Sequence, residues 1–285
     1  MTDRTQIIAS SSISWDAQTH PGKVRENNED SFLALAFNHE EFYYLGKYGE
    51  APLAENDFIF AVADGMGGEK SGEYASRIAV DKITSILPRY FKQCRAGDMA
   101  ECEKALHQVY TDSHRALAYL GESYPECSNM GATLSLIWLS PGRILMAHMG
   151  DSRIYRINSD SALKQLTHDH THVGYLQRTG AITEREARFH PRKNALQRAL
   201  GAGQQIINPQ IGHQEILPGD RLVLCTDGLV DGLWDRQIRQ LLTAPDEREA
   251  QWSPARRLVE MAVDKSGQDN TTAMVVAIAA TGRPE

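Results

Sequence analysis

Apolar residues in this chain gather into short, nearly unbroken blocks, each closed by a polar turn. FIFAVA, LSLIWL, RILMAHM, RLVLC and TAMVVAIA are examples. Such runs predict strands buried on both faces, because a strand with one wet face alternates instead. The pattern predicts strands over residues 13–15, 31–36, 57–63, 132–139, 143–149, 154–157, 210–217, 221–225 and 272–279. Helical spacing predicts helices over 73–91, 98–120, 231–242 and 254–265. In the first of these, Ala75, Ile78, Ala79, Ile83, Ile86 and Leu87 fall on one face. The helices follow groups of strands rather than alternating with them, which predicts an α+β fold and not a doubly wound parallel sheet. Two packed sheets flanked by helices would bury both faces of each sheet, so a layered sandwich is expected.

Two stretches break the pattern. Residues 38–56 join two strands through about twenty residues, more than a hairpin needs, and carry Tyr43, Tyr44 and Tyr48 beside Gly46 and Gly49. They read as a binding loop or as an extra surface hairpin. Residues 168–200 are rich in charge, with a capping-box signal at Thr183 and Glu186. A polar excursion of that length suggests a flap beside a site. No linker or repeat divides the chain, so one domain is expected over residues 11–280, with a flexible terminus at 1–10 and a tail at 281–285.

Composition narrows the partners. Of the 285 residues, 41% are hydrophobic and 24% charged, as in ordinary soluble proteins, and the net charge is −7. That balance disfavours nucleic acid and anionic membranes as partners, and a metal nuclease in particular. The longest apolar run, 273–280, is too short to span a bilayer, and the opening MTDRTQIIASSS, with no basic region followed by an apolar stretch, leads to the expectation of no signal peptide. Cys94, Cys102, Cys127 and Cys225 show no C-x-x-C pairing, so reduced thiols and a cytoplasmic location are expected.

The candidate chemistry lies where apolar runs end. FAVADGMGG carries Asp64, LVLCTDGLVDG carries Asp227 and Asp231, and GQDNTTAMVV carries Asp269; upstream, VRENNEDSF holds Arg25, Glu29 and Asp30. One Asp-Gly pair alone reads as a strand-to-helix turn with a capping aspartate. Carboxylates brought from several strand ends to one place would repel unless they hold hard cations, for which oxygen is the preferred donor. Gly65, Gly67 and Gly68 would let the backbone turn so that a carbonyl faces the same ion.

In order along the chain, R-x-x-x-E-D, V-A-D-G-M-G-G-x-x-x-G-E-x-A-S, G-A-T, G-D-S-R, L-T-x-D-H, A-L-G, C-T-D-G-L-x-D and D-N-T-T resemble the metal-dependent serine/threonine protein phosphatases, the PPM or type 2C family, in its bacterial branch. The resemblance runs from about residue 11 to 279. It implies a four-layer α-β-β-α sandwich with two mostly antiparallel sheets and a flap subdomain. It implies hydrolysis of phosphoserine and phosphothreonine by a solvent molecule activated between two Mn²⁺ or Mg²⁺ ions. Asp64 would bridge the ions with the Gly65 carbonyl on one, Asp227 and Asp269 would complete the other, and Glu29 and Asp30 would act through water. Arg25 would grip the phosphoryl group with its planar donor fork. Asp151 with Asp227 would hold a third ion, although Asp151 and Arg153 can also be read as a turn closed by a local ion pair. Partners would be phosphorylated proteins, including a bacterial Ser/Thr kinase or its substrates. A non-catalytic regulator that keeps the sandwich and binds phosphoproteins or a kinase is the alternative; the intact acidic set counts against it.

One departure stands out. Relatives often carry a histidine in or just after the glycine-rich turn, proposed to protonate the leaving oxygen; Met66 and Glu69 stand there instead. A water held by Asp30 would have to substitute, so leaving groups that need little protonation should react best. His168, His170 and His172 form an H-x-H-x-H run that could converge on zinc if extended, but the run coincides with the stretch that opens the flap. His148 is a weaker acid candidate.

Overall fold

The computed structural model describes residues 11–201 and 207–280, apart from the side chains of Glu69 and Lys70; the terminus at 1–10 and the tail at 281–285 lie outside the described residues. Strands β1 (Ser11–His20), β4 (Tyr48–Pro52), β9 (Arg153–Ile157), β10 (Leu163–Gln165), β12 (Arg221–Cys225) and β13 (Thr271–Ala280) form one sheet in the order β10-β9-β12-β13-β1-β4. The second sheet runs β11-β8-β7-β5-β2-β3, from Gln210–Glu215, Arg143–Met149, Leu134–Ser140, Asp57–Met66, Asp30–Phe37 and Phe42–Tyr44, with the short β6 (Gly131–Ala132) paired to the end of β5. Every pairing is antiparallel.

The continuous apolar runs are explained by two burials. In β5, Phe58, Phe60 and Val62 face the other sheet, while Ile59, Ala61 and Ala63 face a helical layer. In β13, Met274, Val276 and Ile278 point between the sheets and Ala273 and Val275 point outward under the second helical layer. Alternate residues thus enter different cores, and no position from Phe58 to Ala63 or from Thr272 to Val276 is left for water. Helices α1 (Glu69–Ile86) and α3 (Met99–Ser123) cover the seven-stranded sheet; α6 (Asp227–Gly232), α7 (Asp235–Thr243) and α8 (Pro254–Lys265) cover the other. The four-layer α-β-β-α sandwich is therefore what the chain forms. Among the described residues no helix is long and apolar enough to cross a membrane.

Several expectations are revised. The helix expected over 73–91 begins earlier and ends at Ile86, where Pro88 stops the hydrogen-bond ladder and a 3-10 turn (Leu87–Tyr90) leads to α2 (Phe91–Arg95). The helix expected over 231–242 is two helices, because Leu233 and Trp234 are extended between α6 and α7. The segment 38–56 is not a separate hairpin. Its β3 pairs with β2 and its β4 with β1, so it adds an edge strand to each sheet. Cys94 and Cys102 are not reduced thiols: they form a disulfide with Cα atoms 5.5 Å apart, because the turn between α2 and α3 folds the two buried side chains against each other.

Candidate metal centre

The acidic residues singled out by the sequence come together at one end of the sandwich. Asp30 opens β2 directly opposite Asp64 near the end of β5. Asp227 begins α6 immediately after β12, and Asp269 precedes β13, the strand beside β12. Asp151 sits in the turn after β8, and Glu29 precedes Asp30.

Crowding shows in the electrostatics. Burial pushes Asp30 up to about 7 and Asp227 up to about 6, against an ordinary aspartate value of 3.8. For Asp30, the Thr272 and Thr226 hydroxyls counter this and the Asp227 and Asp269 charges add to it. Asp64 is raised well above the ordinary range by burial, then by Asp227, Asp30, Asp151 and Asp269. Asp151 is raised by burial and by Asp227 and Asp169. Burial raises Glu29 even though Arg25 pulls it down.

The support around Asp30 was not visible as a function in the sequence. Thr226 and Thr272 donate to its Oδ2 at 2.8 and 2.7 Å. The Thr272 backbone N–H donates to the Thr226 hydroxyl at 3.0 Å, and the Asp30 N–H donates to Asn28 Oδ1 at 3.1 Å. Asn270 Oδ1 takes the Glu29 N–H at 2.7 Å while its amide donates to the carbonyls of Pro21 and Asn27, both at 2.9 Å. Thr133 accepts the Asp64 N–H at 3.0 Å and bonds Ser152 at 2.7 Å. These residues stand inside the motifs C-T-D-G, D-N-T-T, G-A-T and G-D-S-R, so the letters were legible and the partners were not.

Two buried carboxylate oxygens, Asp30 Oδ1 and Asp227 Oδ1, have no hydrogen-bond partner in the protein. A buried anionic oxygen without a donor is costly, and a hard divalent cation is what such an all-oxygen set suits. Among the described residues no three side chains are already closed into a finished metal cage. The fit therefore rests on convergence, on the orphaned oxygens and on donor chemistry. Glycine makes the approach possible: a Cβ on Gly65 would strike the Gly72 carbonyl and lie 2.9 Å from the Glu29 carbonyl oxygen, and one on Gly72 would strike the Glu29 carboxylate.

Arg25 donates to Asp269 Oδ2 at 2.9 Å, and its side chain is 54% exposed, so most of its donor fork faces outward beside the acids. Arg153 does not close the turn on Asp151. It forks onto Asp169 at 2.7–3.1 Å and reaches Tyr155, whose hydroxyl donates to Asp235 at 3.0 Å. The three imidazoles of the H-x-H-x-H run do not converge. His170 Nδ1 accepts the Gly150 N–H at 3.1 Å and its ring stacks on His148 at 4.9 Å, while His172 opens α4 (His172–Arg178). Burial pushes His148 down to about 3 and His170 to about 4, so both are neutral.

The expected flap lies over α6. It contains α4 and α5 (Glu184–Arg188), and α5 starts with the full Thr183–Glu186 capping box. Lys193 bonds both Asp231 oxygens at 2.6 and 2.7 Å, and Arg188 donates to the carbonyls of Val230 and Leu233. A small cavity of about 80 Å³ remains between the flap and Asp151 and Asp227.

Comparison with known proteins gives a consistent picture. The family model described as Protein phosphatase 2C matches residues 50–261. The serine/threonine protein phosphatase PstP of Mycobacterium tuberculosis is 33% identical over 264 residues, covering 92% of this chain and 44% of that protein. The chain thus spans less than half the length of this curated relative. The serine/threonine phosphatase stp of Listeria monocytogenes is 30% identical over 263 residues, covering 91% of this chain and 93% of that protein. The solved catalytic domain of PstP in complex with two manganese ions superposes with a TM-score of 0.71 at 31% identity, covering 94% of this chain and 99% of that one.

Proposed function

The chain belongs to the protein phosphatase 2C family, and from that premise we propose that it is a metal-dependent phosphatase acting on phosphoserine and phosphothreonine in proteins. The observation that carries this reading is the convergence of Asp30, Asp64, Asp151, Asp227 and Asp269, with buried oxygens of Asp30 and Asp227 left without donors.

Asp64, Asp227 and Asp269 would hold two Mn²⁺ or Mg²⁺ ions directly with the Gly65 carbonyl, Glu29 and Asp30 would act through water, and Asp151 with Asp227 would hold a third. Bound divalent cations supply a more acidic water and draw charge from the phosphoryl oxygens. Arg25 binds and orients the phosphoryl group, keeping donors to spare after its bond to Asp269. The Thr226 and Thr272 hydroxyls fix Asp30 through Oδ2 and leave Oδ1 free of any donor. A cysteine nucleophile is not part of this reading: Cys225 is buried and pushed up to about 12, which leaves no thiolate near neutral pH. The natural substrates would be phosphorylated proteins in the cytoplasm, including a bacterial Ser/Thr kinase or its targets.

The test is phosphate release from a phosphothreonine peptide with Mn²⁺ and again with excess EDTA. Release should require the metal, and Asp64→Asn and Asp227→Asn should abolish it with the circular dichroism spectrum unchanged. Release undiminished in EDTA ends the proposal, and tight peptide binding with no release would favour the non-catalytic regulator.

A further inference from the structure

We infer that the cleft between the flap and the α7–α8 layer is the docking groove for the peptide flanking the phosphorylated residue, and that it selects acidic segments carrying an apolar side chain. This rests on the phosphatase reading above. The cleft encloses about 710 Å³ and is lined by Arg188, Phe189, His190, Lys193, Trp234 and Lys265, among others. Three of its lining residues, Arg188, Lys193 and Asp231, also line the inner cavity that reaches Asp151 and Asp227. The groove therefore borders the inner cavity, with Arg188 and the Lys193–Asp231 pair as the wall between them, so a peptide whose phosphoryl group lies at the candidate centre has the groove beside it.

Charge and apolar surface identify the occupant. The chain as a whole carries −7, yet residues 185–193 hold Arg185, Arg188, Arg192 and Lys193 against Glu186 alone. The local excess of cations borders the groove, where it attracts an anionic peptide and repels a basic one. Not all of that charge is available. Lys193 is held by Asp231, and Arg188 is committed to two backbone carbonyls and to the Trp234 ring 4.1 Å from its guanidinium carbon. Lys265, exposed at the end of α8 on the opposite wall, has no ion-pair partner among the described residues and is the cation free to meet a carboxylate. Phe189 sits on the flap wall with 73% of its surface exposed. An aromatic ring this open beside a cleft offers an apolar side chain a surface to cover, and Arg188 keeps the neighbouring Trp234 ring in place.

The groove acts only on the peptide, so its contribution separates from that of the metal centre. The experiment compares p-nitrophenyl phosphate with two phosphothreonine peptides, one flanked by Glu and Leu and one by Lys and Ser, for the wild type, Phe189→Ala and Lys265→Glu. The wild type should show kcat/KM about 10-fold higher for the acidic peptide, with the difference shrinking as salt rises. Phe189→Ala should raise KM for that peptide about 10-fold, the effect of losing roughly half of a buried phenyl contact. Lys265→Glu should lower the acidic peptide's advantage about 5-fold, since it both removes and reverses one exposed charge. Both variants should hydrolyse p-nitrophenyl phosphate as the wild type does. Equal kcat/KM for the two peptides overturns the inference, as does an equal loss on p-nitrophenyl phosphate and peptide. Binding of the fluorescein-labelled acidic peptide, read by anisotropy, needs no turnover. A wild type that prefers the acidic peptide in binding yet hydrolyses nothing would refute the phosphatase reading and support the groove, and one that hydrolyses without any preference in binding or rate would do the reverse.

Discussion

Replacing Asp30 with Asn should stabilise the metal-free protein while removing its activity. Asp30 is buried, at 9% exposure, and its two oxygens differ: Oδ2 accepts from Thr226 and Thr272, and Oδ1 accepts from nothing in a carboxyl that feels the charges of Asp227 and Asp269. Asparagine fits that asymmetry. Its carbonyl can take both threonine donors and its NH₂ can stand where the orphaned oxygen stood, donating toward the carboxylates. Burial and neighbouring charge raise Asp30 from 3.8 to about 7. The folded protein therefore holds this proton more tightly than the unfolded chain, and metal-free stability falls as pH rises from about 4 through about 7. Near pH 8 the whole penalty is present, with a ceiling of about 4 kcal/mol at roughly 1.4 kcal/mol per tenfold change in proton affinity. Allowing for water that reaches the crowded acids, Asp30→Asn should gain about 2 kcal/mol in EDTA near pH 8, a rise in Tm of roughly 5 °C. Near pH 5 only the first part of the interval between about 4 and about 7 has been crossed, so the gain should shrink to about a third of its value near pH 8. Urea and thermal unfolding at both pH values measure this. A variant that is destabilised near pH 8, or a gain of equal size near pH 5, would refute the account of Asp30 as a carboxylate held in place against its own charge.

Three further outcomes follow from the same geometry. Thr272→Val removes one donor from a buried carboxylate and should cost about 2 kcal/mol in unfolding experiments and raise the Mn²⁺ concentration needed for half-maximal rate, whereas Thr272→Ser, which keeps the hydroxyl, should do neither. Gly72→Ala places a methyl group against the Glu29 carboxylate and should weaken Mn²⁺ activation about 10-fold; activation by the same Mn²⁺ concentration as wild type would show that Glu29 is not needed where it stands. With Met66 in the glycine-rich turn instead of an imidazole, the rate across a series of aryl and alkyl phosphates should fall steeply as leaving-group pKa rises; a flat series would mean that a competent acid sits elsewhere in the site.

Much of the architecture could be read from the chain because it is enforced locally. The blocks at 143–149, 221–225 and 254–265 stand in the structure with the same bounds, since each is a complete run bounded by turn residues. Reading failed where a local signal was weak or a distant contact overrode it. The three-residue strands β3 and β10 are too short to show a period, and β4 is mostly exposed and exists because β1 offers it an edge. At the break between α6 and α7, Gly232 packs so closely on Ala262 that a Cβ there would strike its backbone, a contact that no spacing within the helix reveals.

The same division holds at the site. Sequence alone determined which acids stand at which strand ends, because the length of each apolar run and the small or polar residue after each aspartate (glycine after Asp64 and Asp227, serine after Asp30 and Asp151, asparagine after Asp269) are local properties of the chain. Only the tertiary structure decided what each acid meets. Asp30 takes its hydroxyl donors from residues 196 and 242 positions away, and Arg25 finds Asp269 across 244. Those contacts exist because antiparallel pairing sets β2 against β5 and β12 against β13 in two sheets packed face to face. Burial, which decides how strongly a carboxyl holds its proton and which oxygen is left without a donor, is a property of that packing and has no counterpart in the order of the residues.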